Sequence, residues 1–146
     1  MRETRSQDVV LLLLRLVLGL VFIYAGGQKL FGWWGGSGFS GTLQEFQSMH
    51  GIPAVATACA IFAEFLGGLG VLFGFLSRVA ASGLFLTMSV AVFLNLRDFG
   101  AKALSSEPEM SMLFIAMPLS MLVMSLAVMM LGAGKYALDQ KFSKRK

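Results

Sequence analysis

The stretch Pro53–Leu76, PAVATACAIFAEFLGGLGVLFGFL, decides the fold class. It exceeds the roughly 20 apolar residues that a helix needs to cross a bilayer. In lipid the backbone must satisfy its own hydrogen bonds, so a helix is the conformation open to it. One residue breaks the pattern: Glu64 is the only charge between His50 and Arg78. A carboxylate in a segment built to avoid water needs a partner.

Working outward, three more apolar blocks follow the same logic, at about 9–31, 79–96 and 110–132. Across the whole chain 56% of residues are hydrophobic and 14% charged, against about a quarter charged in soluble domains. These observations predict an all-α integral membrane four-helix bundle, a single transmembrane domain over 1–146. Ser77 and Arg78 alone separate the second and third blocks, so these form a tight helical hairpin. The first block reads as a retained span rather than a signal peptide. Arg2 and Arg5 precede it, but Glu3, Asp8 and Arg15 interrupt the pattern and no clean cleavage site follows.

Basic residues predict the orientation. With four spans, Arg2, Arg5, Arg78, Lys135, Lys141, Lys144, Arg145 and Lys146 share one side, and Lys29, Arg97 and Lys102 the other. The bias places both termini in the cytoplasm. The closing KFSKRK run suits anionic lipid headgroups, and no nucleic-acid module is present. In the first outer loop, GWWGGSGFSGTLQEFQSMHGIP, Trp33 and Trp34 belong at the headgroup level. Thr42 and Glu45 have capping-box spacing. Leu43, Phe46 and Met49 share one face, so the loop is expected to carry a short amphipathic helix on the outer surface.

Within the membrane, Arg15, Gly19, Phe22, Gly26 and Lys29 fall on one stripe of the first span. A charged stripe turns toward the bundle interior. Ala56, Ala60, Ala63, Gly67, Gly70 and Gly74 form a small-residue seam on the second span, and Glu64 borders it. Gly19, Gly26, Gly67, Gly70 and Gly74 are thus the candidate packing glycines. Counting from the outer ends, Glu64 lies on the order of 16 Å deep and Arg15 about 24 Å. This predicts an Arg15–Glu64 pair, read equally as a structural lock on helix register and as the core of an intramembrane polar site that handles protons or a small lipid-soluble molecule. Lys29 is expected at the edge of that site, with its ammonium drawn toward the headgroups. Tyr24 and Gln28 point away, toward a neighbouring helix, a partner subunit or a second copy.

Other features are weaker. Seven of the ten methionines lie between Met110 and Met130, where they read as apolar filler more readily than as a groove for an isoprenoid tail. Cys59 is alone, so neither a disulfide nor a CxxC pair exists. Met49, His50, Met110 and Met112 form no tight cluster, and no metal site is predicted. Pro118 should bend the last helix.

LRLVLGLVFIYAGGQKLFGWWGG, HGIP, FAEFLGGLGVLFGFLSRVAA and GAGKYALD together resemble the DoxX family of four-helix membrane proteins, over about residues 14–139. The resemblance implies that Arg15, Gly19, Gly26, Lys29, Glu64, Gly67, Gly68, Gly74, Arg78 and Asp139 hold motif positions. The chain departs from many relatives at FLNLRDFG, where Asn95 stands in place of a histidine and cannot titrate. Some relatives look like the small subunit of a membrane thiosulfate:quinone oxidoreductase, and others work beside redox or oxidative-stress proteins. The expected function is therefore that of a small inner-membrane subunit of a redox system. It would meet a quinone near Arg15 and Glu64 and act with a partner that supplies electrons, since the chain has no flavin, haem or metal motif. Two alternatives are a non-catalytic anchor or assembly subunit, and a proton or small-solute transporter. No inverted repeat or broken helix favours the last.

Overall fold

A computed structural model describes the backbone of residues 2–102, 108–132 and 134–138, and the side chains of 6–98, 115–132 and 134–138. Asp139, the 141–146 tail and the side chains of Arg2, Arg5, Lys102, Met110 and Met112 lie outside the described residues. Among the described residues all regular structure is helical: α1 (Arg2–Phe31), a 3-10 turn (Trp33–Gly35), α2 (Gly38–His50), α3 (Ala54–Phe73), α4 (Ser77–Lys102) and α5 (Pro108–Leu131). Among the described residues three segments are long and apolar enough to cross a membrane: Ser6–Phe31, Ala54–Phe73 and Ser77–Asp98. In α5 the apolar stretch among the described side chains is Ile115–Leu131.

Local chemistry sets the helix ends. α3 starts after Pro53, whose extended backbone forms the N-cap. It stops at Gly74, where φ is 70°, and Phe75 N–H donates back to Gly70 O at 2.9 Å. A residue with a side chain takes that left-handed conformation at a cost, which glycine avoids. Gly51 closes α2 in the same way, with φ 68°. The amphipathic helix of the first loop begins earlier than the capping-box reading implied. α2 opens at Gly38, with Ser37 as N-cap, and Thr42 lies inside the helix, buried. Its hydroxyl donates to Lys29 O at 3.5 Å, which ties α2 to the end of α1.

α1 packs against α3, α3 against α4, α4 against α5, and α5 against α1. Leu18, Phe22, Val71, Ala81, Leu84 and Val128 form the core at the centre of this ring, with Met88, Met121 and Met124 filling around them. The α1–α3 contact is backbone to backbone. A Cβ built on Gly26 would lie 2.8 Å from the N and Cα atoms of Phe65, and one on Gly19 would lie 2.7 Å from Leu72 Cβ. Only glycine permits such an approach. The α3–α4 contact uses Gly67 against Leu84 and Gly70 against Ala80. Contacts at each end tie distant parts of the chain together. At one end the Asp8 carboxylate accepts from Lys135 N–H at 3.1 Å and faces Lys135 Nζ at 3.4 Å. At the other, His50 Nε2 lies 3.9 Å from Asp98 Oδ2.

Candidate functional site

Glu64 sits midway along α3 with 6% of its side chain exposed, and Lys29 of α1 is its partner. Lys29 Nζ donates to both carboxylate oxygens, at 2.8 and 2.6 Å. A charge-assisted contact this short in a low-dielectric setting offsets much of the cost of removing both groups from water. The structure differs here from the Arg15–Glu64 pair that the depth estimate predicts, and from a Lys29 drawn out to the headgroups. The cause is helix register. Gly26 faces Phe65 and Gly19 faces Leu72, so seven residues down α1 match seven residues back along α3. This sets Phe31 opposite about residue 60 rather than opposite Pro53. The outer end of α3 therefore runs some seven residues, or roughly 10 Å, beyond that of α1. Glu64 falls level with Gly27, about half a turn below Lys29, and Arg15 falls level with the end of α3.

There Arg15, 1% exposed, has a different task. Its Nε donates to Val71 O at 2.9 Å and its Nη2 to Leu72 O at 3.0 Å, both in the last turn of α3. Its Nη1 reaches Tyr136 O at 3.5 Å. The last carbonyls of a helix have no intrahelical donor, and they carry the negative end of its dipole. A guanidinium answers both needs. Gly74 leaves room for it, since a Cβ there would collide with Arg15 Nη2 and with Ala137. Gly74 thus ends α3 and also admits the close approach of Arg15 and Ala137.

The Lys29–Glu64 pair borders a cavity of about 390 Å³ between α2, α3 and α4. Thr57 and Thr87 add hydroxyls to its wall, Cys59 lines it, and most of the remaining lining is apolar, including Phe46 of α2, Ile61 and Leu94. Thr87 Oγ1 donates to Leu84 O at 2.9 Å, which leaves its oxygen lone pairs for a donor. The volume lies within the range of small-molecule sites, and one charged edge in an apolar chamber is their usual construction. α2 was legible as a surface helix, but its role as the wall of this cavity was not, because amphipathic spacing does not say what the apolar face covers.

The remaining polar groups of the spans find local partners. Gln28 Nε2 donates to Tyr24 OH at 3.1 Å, and Tyr24 stacks on Trp34 with ring centroids 4.8 Å apart. Phe31 stacks on Trp33 at 4.7 Å, completing an aromatic cluster at the α2 end of the molecule. Among the described residues no three His, Cys, Asp or Glu side chains converge as a metal site would require.

Comparison with known proteins identifies the family of the chain. The DoxX family profile matches residues 10–96, which include both Lys29 and Glu64. Inner membrane protein YqjF of Escherichia coli (strain K12) is 31% identical over 142 residues, covering 97% of this chain and 98% of that relative. No solved structure matches significantly. The chain belongs to the DoxX family and, with three helices long and apolar enough to span, is a multi-pass membrane protein of that family.

Proposed function

We propose that the chain is a four-helix bundle of the bacterial inner membrane with both termini in the cytoplasm, and that it serves as a quinone-binding subunit of a redox system. The observation that carries this reading is the Lys29–Glu64 ion pair on the wall of a largely apolar cavity of about 390 Å³. A quinone ring is flat and apolar, with carbonyl oxygens that accept hydrogen bonds. Lys29 Nζ has three N–H donors and uses two on Glu64, so one is left for a ligand carbonyl. Conversion of a quinone to its quinol takes two electrons and two protons. Lys29 and Glu64 are the groups placed to exchange protons at the ring, and a partner protein supplies the electrons. The similarity to a protein named for the inner membrane supports the location.

Purification into phospholipid nanodiscs, followed by extraction and chromatography of lipid quinones, tests the reading. A quinone should accompany the wild-type chain at a constant ratio and be depleted in a folded Glu64→Gln variant. An equal quinone content in both, matching that of empty discs, would refute a quinone site. A stoichiometric large partner without quinone would instead favour an anchoring subunit.

A further inference from the structure

The Lys29–Glu64 cavity has a neighbour. On the outward side of the α3–α4 hairpin lies an open groove of about 670 Å³, lined by Gly67, Gly70, Phe73, Phe75, Val79 and Ala80 among others. Groove and cavity share two wall residues, Ala63 and Gly83. A Cβ added to Gly83 would meet only Ala63 Cβ, at 3.8 Å, so where the two spaces adjoin they are separated by nothing bulkier than glycine and alanine. The groove continues to Leu138, at the end of the molecule opposite α2. Its rim, formed by Leu66, Phe73, Leu76 and Val79, is more than half exposed. It therefore opens sideways to the acyl chains rather than to water.

A polar-edged chamber adjoining an apolar trough matches a ligand with a polar head and a long hydrocarbon tail. We propose that the ligand of this site is a long-tailed lipid quinone that enters laterally between α3 and α4, with its ring beside Lys29 and Glu64 and its tail laid along the groove toward Leu138. This rests on the reading of the cavity as the ring site. From Glu64 to Phe73 the tail follows nine residues of helix, or about 14 Å. Moving a tail from lipid to groove removes no apolar surface from water, so the groove adds little affinity by the hydrophobic effect. Its main effect is to fix where the tail lies and which face of the hairpin admits the ring.

Photolabelling in phospholipid nanodiscs tests this by position. Three probes carry the same diazirine: at the far end of the tail of a long-tailed benzoquinone, on the ring of a tail-less benzoquinone, and at the acyl end of a phospholipid. The tail probe should label Phe73, Phe75, Leu76 or Leu138. Excess unlabelled long-tailed quinone should lower that labelling roughly tenfold, equivalent to about 1.4 kcal/mol of displaced occupancy. The ring probe should label residues next to Glu64. Ring adducts at the cavity with tail adducts scattered over the outer faces of α1 and α5 would overturn the groove while sparing the ring site. No ring adducts at the cavity would overturn the ring site, and the proposal with it. Phospholipid labelling of the groove that is unchanged by added long-tailed quinone would make the groove an ordinary lipid surface and end the proposal.

Discussion

At the scale of single residues, a buried cation and a partly buried one meet different acceptors, and that difference is measurable. Lys29 meets a carboxylate at 2.6 Å, whereas Arg15 donates to the terminal carbonyls of α3. Lys29→Met strands Glu64 with 6% of its side chain exposed. Breaking a buried pair typically costs about 3 to 5 kcal/mol, and the low end applies here because Lys29 itself is a third exposed. Glu64→Gln should cost less, since the freed ammonium can bend outward. The double variant should be less destabilised than the sum of the two, by roughly 1 to 3 kcal/mol of coupling. Arg15→Gln should destabilise by a similar amount but add to Glu64→Gln without coupling. A double-mutant cycle on thermal unfolding in detergent reads both terms. Coupling between Arg15 and Glu64, with none between Lys29 and Glu64, would contradict the register described above. That both basic residues face inward was legible from the four-and-three spacing of Arg15, Gly19, Phe22, Gly26 and Lys29, and that Glu64 does so from its place beside the small-residue seam of α3. Which cation met Glu64 was not, because spacing within one helix gives a face but no height relative to its neighbour.

At the scale of elements, glycine supplies the missing height. Apolar length locates helices well: the expected 53–76 block became Ala54–Phe73, and the Ser77-Arg78 hairpin became a turn of three residues before α4. Apolar residues slide freely past one another in register, however, and only positions where backbones touch fix it. Gly26 and Gly68 are such positions on α1 and α3, since a Cβ on Gly68 would lie 2.9 Å from Ile23 N. The sequence marks the glycines but not which neighbour each one faces, so the α1–α3 alignment had to be seen. Gly26→Ala should therefore destabilise the fold by about 1 to 3 kcal/mol, as overpacking does, and toward the upper end because backbone atoms cannot rotate away. Gly83→Ala has an open space, with its nearest atom at 3.8 Å. It should be neutral, or stabilising by up to about 1 kcal/mol through helix propensity. Thermal unfolding of the two variants side by side checks the contrast. Equal loss at both positions would mean that glycine acts here through something other than helix approach. The same scale applies to α2, whose far end is held by His50 against Asp98. Asp98→Asn should loosen that end and raise hydrogen exchange at the 46–50 amides, with little change in α3.

At the scale of the whole molecule, the remaining question is which way the chain faces. The start of α1, the α3–α4 turn and the segment after α5 come together at one end, through Asp8 with Lys135, Arg15 with Tyr136, and Gly74 beside Ala137. The Trp33–Trp34 turn, α2 and the His50–Asp98 contact occupy the opposite end. An arrangement of α1, α3, α4 and α5 that alternates between those ends predicts that both termini share a side. The excess of Lys and Arg that the sequence carries before α1, in the α3–α4 turn and after α5 is the basis on which that side is proposed as cytoplasmic. Single cysteines in a Cys59→Ala background test the assignment. A cysteine at Ser37 (between the tryptophan turn and α2) should react with a membrane-impermeant maleimide added to intact spheroplasts. One at Ser143 should react only after the membrane is opened. The orientation also bears on the chemistry, because in the proposed arrangement Lys29, with a third of its side chain exposed, would lie on the periplasmic half. Protons exchanged at Glu64 would then leave or enter from outside, while the α3–α4 groove runs toward the cytoplasmic end. If Ser143→Cys labels in intact spheroplasts and Ser37→Cys does not, the molecule is inverted. The ion pair would then open to the cytoplasm, and the charge bias of the termini would not have set the topology.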